Sequence, residues 1–218
     1  MIVVIDGPAG SGKSSTARAV AHELNIQYLD SGALYRAFTY LFLKSEQSLP
    51  AFFESIYSAQ LSFEFGNEFQ VNLNGEDITS AIRDPKVSAQ VSTVAAIPKV
   101  REHINDLMNN AVQHDAYIAD GRDLGTAVFP NAECKFFMIA DLETRAKRRH
   151  QELSLKGLQM SYSEVLAEIK QRDRIDSTRE KDPLKQADDA IVVDSSTFSF
   201  DEQVQYIVKR IKETIAIE

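Results

Sequence analysis

Near its start the chain runs from an unbroken apolar stretch straight into a glycine-rich turn. Ile2-Val3-Val4-Ile5-Asp6 is followed by Gly7-Pro8-Ala9-Gly10-Ser11-Gly12-Lys13-Ser14-Ser15. No other stretch restricts the fold so tightly. The spacing G-x-x-x-x-G-K-[ST] has a chemical meaning only with a strand before it and a helix behind it. Both are present. Residues 2–5 are all apolar, as in a strand covered on both faces. Beyond the turn, Ala17, Val20, Ala21 and Leu24 recur at i, i+3, i+4 and i+7, which is one buried stripe of a helix. The glycines let the main chain curl so that successive N–H groups converge on one anion. The helix N-terminus adds partial positive charge at the same point. Lys13 is expected to reach the outer phosphates of a nucleoside triphosphate, and the Ser14 hydroxyl to ligate Mg²⁺. A glycine-rich turn without chemistry is the alternative, and motif and context together disfavour it.

The rest of the chain repeats the strand-then-helix rhythm. Strands are expected at 2–6, 27–30, 117–120, 135–140 and 190–194. Helical stripes lie between them: Leu34, Phe38, Leu41 and Phe42, then Val100, Ile104, Leu107, Met108 and Ala111. A final helix opens on a possible capping box, Ser199 with Glu202, and continues through Val204, Ile207, Val208, Ile211 and Ile215. Such alternation predicts an α/β fold, a parallel sheet with helices on both faces. Residues 60–82 break the rhythm. Leu61, Phe63 and Phe65 alternate with polar residues, as do Phe69, Val71 and Leu73, with turn signals at Gly66-Asn67 and Asn74-Gly75. That is a small antiparallel meander, either a decorative excursion or a lobe that helps to hold a substrate.

The chain has 218 residues, 44% of them apolar, enough for one core with an insert or small lobe. Its net charge of −8 disfavours nucleic acid as a partner, because an acidic surface repels a phosphate backbone. No apolar run approaches the length needed to span a bilayer. The first residues lack the basic segment of a signal peptide, and one cysteine, Cys134, permits no internal disulfide. The expectation is a soluble, cytoplasmic monomer.

Local basic clusters stand out in so acidic a chain. Ten of the 24 Lys and Arg residues fall between Arg145 and Lys181. Two helices are expected to carry them, one from near Asp141 to Gly157 and one from near Ser161, with Ser161 and Glu164 as a capping box. Solvated helix faces would explain many of these charges. The run Arg172-Asp173-Arg174-Ile175-Asp176-Ser177-Thr178-Arg179 resists that reading. Arg172, Asp176 and Arg179 lie at i, i+4 and i+7 and share a face if the helix continues, a face suited to a phosphate and a sugar hydroxyl. Arg36 and Arg122 follow predicted strands two and three, outside the carboxyl ends of the strands where ligands bind in such folds. A second anion site beside the triphosphate favours a phosphotransferase over a nucleotide-dependent switch.

IDGPAGSGKSS at 5–15, LDSGALYR at 29–36, VSTVAAIPKVR at 91–101, ADGRDLGTAVFP at 119–130 and RDRIDSTR at 172–179 together resemble the bacterial cytidylate (CMP/dCMP) kinases. These are nucleoside monophosphate kinases among the P-loop NTPases, and the likeness covers essentially the whole chain. It implies a five-stranded parallel core at 1–53, 91–145 and 183–218. A monophosphate-binding lobe would occupy 54–90 and a helical lid 146–182. Gly7, Pro8, Ala9, Gly10, Ser11, Gly12, Lys13, Ser14 and Ser15 would hold ATP. Arg36, Arg122, Arg172 and Arg179 would surround the acceptor and transferring phosphates. Ser92, Arg101 and Asp123 would read the cytosine edge, Ser31 and Tyr35 would line the monophosphate pocket, and Asp176 would meet the ribose.

A phosphate acceptor is already anionic, so no general base is required. None is obvious, since His22, His103, His114 and His150 fall outside the motifs. Positioning and charge neutralisation by Lys13, Mg²⁺ and the arginines would carry the reaction. Asp120 has two readings, a carboxylate that helps to hold Mg²⁺ or a strand-end residue that caps the next turn. Other small P-loop kinases, acting on another monophosphate or on a small acid or alcohol, are the main alternative.

Overall fold

A computed structural model describes residues 1–46, 48–65, 69–112 and 115–215. Five parallel strands form the central sheet: β1 (Ile2–Asp6), β2 (Gln27–Asp30), β6 (Tyr117–Gly121), β7 (Cys134–Ile139) and β8 (Ile191–Asp194), in the order β2-β6-β1-β7-β8. Successive residues of a strand face opposite sides of its sheet. β1 is buried from Val3 to Asp6 and β6 at every position, so both faces are covered. Ile5, Leu29 and Ile118 are among the fully buried side chains, each contributing roughly 1.5–3 kcal/mol. The expected strands agree with these to within a residue at either end.

The helices that matter for the site are α1 (Lys13–Leu24), α2 (Ser31–Lys44), α4 (Pro85–Ala95), α5 (Pro98–Ala111), α6 (Leu142–Leu155) and α7 (Tyr162–Thr178). Two others are α3 (Leu49–Ser58) and the last, α8 (Phe200–Ile215), which packs on α1. Both expected capping boxes form. Ser161 exchanges bonds with Glu164 at the start of α7, and Ser199 with Glu202 before α8. Ile215 departs from the expected stripe, being 46% exposed where α8 runs past the core. Neither α3 nor α4 was expected. In α4 the buried positions Val87, Val91 and Val94 alternate with Ser and Thr, a β-branched composition with weak helix propensity. Packing on α2 supplies what propensity lacks.

The meander is present as a separate sheet, β3 (Leu61–Glu64), β4 (Gln70–Leu73) and the two-residue β5 (Glu76–Asp77). Asn74 and Gly75 both take positive φ, +52° and +82°, the type I′ conformation that a two-residue hairpin selects. The expected Gly66-Asn67 turn lies outside the described residues. Phe65 stands 5.3 Å from the Tyr117 ring of β6, which moors the small sheet to the large one.

Candidate active site

Parallel pairing brings the carboxyl ends of three strands level. Ile5 and Asp30 both pair with Asp120, and Asp6 pairs with Gly121. Just outside them opens a cleft of about 630 Å³. Eleven basic and five acidic side chains line it, a local excess of six positive charges in a chain of net charge −8. Nearly half of the chain's 24 basic residues are gathered here, where their field favours anions.

One half of the cleft is the glycine-rich loop. Gly10 and Gly12 have φ of +76° and +95°, which turns the loop inward before α1 begins. Ala9, Gly10, Gly12, Lys13, Ser14 and Ser15 line the cleft. Gly7, Pro8 and Ser11 stand behind it and build the loop. A Cβ on Gly7 would lie 2.1 Å from the Met138 carbonyl oxygen, so only glycine fits between β1 and β7. The Ser11 hydroxyl donates to the Pro8 carbonyl at 3.0 Å. Lys13 Nζ is folded onto its own loop, donating to the same carbonyl at 2.6 Å and to Ser11 Oγ at 3.3 Å. Burial, then Arg122, pulls the Lys13 pKa well down. The Ser14 hydroxyl donates to Asp120 Oδ2 at 2.7 Å, and Tyr28 donates to Oδ1 at 2.6 Å. Burial and the neighbouring Asp30 push the Asp120 carboxyl up. Asp120 therefore faces the loop serine and does not cap the turn after its strand.

The other half is made of side chains from distant segments. Arg36 comes from α2, Arg122 from the end of β6, Ser92 from α4, Arg101 from α5, and Arg172 and Asp176 from α7. All line the cleft, as do Ser31, Tyr35, Asp123 and Arg179. The helix that was to carry Arg179 ends at Thr178, and Arg179 itself is extended (φ −63°, ψ 145°). Its guanidinium still enters the cleft, because Asp123 holds it at 2.8 Å. The ion pairs form a continuous chain. Arg122 bonds Asp176 at 2.9 Å, Asp176 lies 3.7 Å from Arg179, and Arg179 and Arg101 share Asp123. Burial would raise the Asp176 pKa, but Arg122 and Arg179 outweigh it and hold the group ionised. For Asp123 burial prevails over its two arginines, and its pKa rises. Ser31 donates to the Asp120 carbonyl at 2.5 Å, and the buried Tyr35 hydroxyl has no partner.

Arg172 differs from the rest. Its Nε is buried without a hydrogen-bond partner, and its nearest carboxylate contact, to Glu168, is 3.9 Å long. Burial, then Arg122 and Arg36, lowers its pKa to about 10. Arg36 makes no ion pair within 4 Å among the described residues, and burial with Arg83, Arg122 and Arg149 lowers it too. A guanidinium left unpaired among other cations is costly unless an anion completes the site.

The family model for cytidylate kinase matches residues 3–213. The chain belongs to the cytidylate kinase family. A cytidylate kinase of Carboxydothermus hydrogenoformans is 43% identical over 213 residues, covering 96% of both chains. One from Clostridium botulinum is 44% identical over 214 residues, 96% of this chain and 97% of the relative. The crystal structure of a gluconokinase from Sinorhizobium meliloti aligns with a TM-score of 0.50 at 14% identity, covering 99% of this chain and 95% of the other, a likeness of fold. Within the described residues no helix is long and apolar enough to cross a membrane.

For a member of the cytidylate kinase family, several residues at the cleft escaped the sequence reading. Asp30 caps α2 by accepting from the Ala33 N–H at 2.9 Å, and it also pairs with Arg83 at 3.1 Å. Its place at a strand end before a helix was a readable signal. Asp6 accepts from the main-chain N–H groups of Leu124 and Gly125 at 3.0 and 2.8 Å, and burial pushes its pKa up to about 7. Asp173 accepts from the Ala9 N–H at 3.2 Å and from Arg145 at 2.6 Å, which docks α7 on the loop. Nothing in the local sequence marks that long-range contact.

Proposed function

We propose that this enzyme transfers the γ-phosphoryl group of ATP to CMP and dCMP, yielding CDP and dCDP. The observation that carries the reading is Arg172, whose buried Nε has no hydrogen-bond partner and which stands with Arg36 and Arg122 in the same cleft as the phosphate loop. Two polyanions in line need one cationic half each, and the cleft has both.

The loop amides and Lys13 would hold ATP, with Arg36, Arg122, Arg172 and Arg179 around the acceptor and transferring phosphates. The attacking group is a phosphate oxygen that carries its own negative charge, so the chain's task is to align two anions and offset their repulsion. Ser92, Arg101 and Asp123 would read the base, Ser31 and Tyr35 line the monophosphate pocket, and Asp176 meet the ribose. A carboxylate that accepts from the cytosine amino group finds no such donor on uracil. In a buried site a missing hydrogen bond of this kind costs up to about 10⁴–10⁵ in specificity.

Ser14 and Asp120 suit Mg²⁺. They are hard oxygen donors with bonding distance between them, and the described residues contain no cluster of three or more His, Cys, Asp or Glu ligands. A site with one carboxylate and one hydroxyl fits an ion that draws its other ligands from phosphate and water. Bound there, the ion offsets the charge developing on the triphosphate.

We propose further that 54–90 acts as the monophosphate lobe and 146–182 as a lid over a core of 1–53, 91–145 and 183–218, in a cytoplasmic monomer without nucleic-acid or membrane partners. Phe69, Thr79 and Arg83 reach the cleft from one side, Arg148, Arg149 and Arg172 from another. Assaying ADP release with ATP, Mg²⁺ and a panel of CMP, dCMP, UMP, AMP, GMP and shikimate tests the reading. CMP and dCMP should be turned over fastest, and strong preference for any other acceptor would overturn it.

A further inference from the structure

The guanidinium of Arg101 is fully buried, yet it sits beside a substrate cleft that it must face in one orientation. Four groups hold it. Asp123 Oδ2 takes Nη2, the Ala95 carbonyl accepts from Nη1 at 3.3 Å, and the Tyr35 ring centroid lies 5.3 Å from the guanidinium carbon. The fourth is Asp182, whose Oδ2 accepts from Arg101 Nε at 3.1 Å. Asp182 lies beyond α7, in none of the motifs that mark this chain, and does not line the cleft.

The same residue grips a second arginine by its main chain. The Asp182 carbonyl accepts from Arg179 Nε at 2.8 Å. Since Arg101 and Arg179 also share Asp123, four residues close a ring: Asp182, Arg101, Asp123, Arg179. One side of the ring is on α5 and the β6 end, the other is the segment that follows the lid helix. To reach both arginines Asp182 adopts φ +48°, a left-handed conformation that Asp tolerates better than most residues but at a cost. The conformation lets side chain and carbonyl of one residue meet two different guanidinium groups.

We propose that Asp182 is a positioning residue for monophosphate recognition. Its carboxylate fixes the Arg101 guanidinium, and through it Asp123, in the orientation that recognises the base, and its carbonyl sets Arg179 in the same frame. Rigid side chains held by surrounding hydrogen bonds recognise ligands better than free ones do. The inference rests on the assignment of Arg101 and Arg179 to the acceptor half.

The test is the series Asp182→Asn, Asp182→Gly and Asp182→Ala, assayed with CMP and UMP at saturating MgATP. Asn keeps an acceptor and tolerates positive φ. Gly keeps the backbone conformation and loses the acceptor. Ala loses both. With Gly, KM for CMP should rise about tenfold, the worth of one hydrogen bond to a charged group, with kcat within about twofold and discrimination against UMP reduced. Asn should restore most of the affinity. Wild-type KM in the Gly variant would overturn the proposal, leaving the residue a backbone role only, and so would a fall in kcat with KM unchanged. Thermal unfolding of each variant identifies any that fold poorly, and Gly, which relieves the backbone, serves if Ala does not fold. Failure of the underlying site reading shows separately, as an unmodified enzyme with no preference for CMP.

Discussion

The two halves of the cleft are built by different means. The loop half is a single run of main chain, 7–15, whose direction is set by glycine φ values and by the start of α1. The arginine half uses side chains from positions 36, 101, 122, 172 and 179, oriented by Asp123, Asp176 and their neighbours. Amides that belong to the backbone need no partner to stay in place. Long cationic side chains do, and each carboxylate that holds one also reduces the charge it offers. Arg101, Arg122 and Arg179 are held close by carboxylates, whereas Arg172 has only a 3.9 Å contact to Glu168 and Arg36 has no ion pair among the described residues. The loop half is thus rigid by construction, and the arginine half by mutual restraint.

Arg122→Ala and Arg179→Ala test that contrast most severely. By analogy with transition-state arginines elsewhere, kcat should fall by roughly 10³–10⁵, with the fold retained by circular dichroism. Wild-type turnover in either variant would remove that residue from its role. Next comes Asp6, at the carboxyl end of the central strand β1. Its pKa near 7 in the folded chain, against about 4 when unfolded, means that its contribution is complete at low pH and lost as pH rises through 7. Wild-type stability should therefore decline between pH 4 and pH 8 by on the order of 3 kcal/mol from this group, and Asp6→Asn should flatten the decline in urea unfolding. An equal slope in both proteins would contradict the assignment.

Asp120→Asn is expected to be milder. A weaker oxygen donor should raise the Mg²⁺ concentration at half-maximal rate by about tenfold, without a matching change in KM for CMP. Smallest of all is Ser15→Ala. Its hydroxyl turns back onto the Gly12 carbonyl at 2.8 Å, so little is lost with it, and kcat should stay within about twofold. A larger loss would show that the loop half relies on side chains as well, and would erase the distinction.

The same contrast explains what could be read early. The loop was legible because its function follows from adjacent residues, and the five core strands because continuous apolar runs such as 2–5 admit few other conformations. The hairpin at Asn74-Gly75 was legible for the same local reason. α4 was missed because its valines and serines carry no strong helical signal apart from packing. The base and ribose roles proposed for Ser92, Arg101, Asp123 and Asp176 rest on resemblance of whole motifs, since nothing local to Ser92 or Asp123 announces a ligand. Arg179 was expected on the helix with Arg172, yet it reaches the cleft from beyond the helix end through Asp123.

Sequence alone determined a parallel α/β chain with a phosphate loop on its first strand, because period, glycine placement and charge act over a few residues. Tertiary structure alone decided which arginines are neutralised and which remain open, that Asp6 is held by residues 124 and 125, and that Asp182 joins two arginines. Those contacts span between 3 and 119 positions of chain. The energy that selects most of them arises only when remote segments are packed into one low-dielectric interior, where an ion's partner determines its cost.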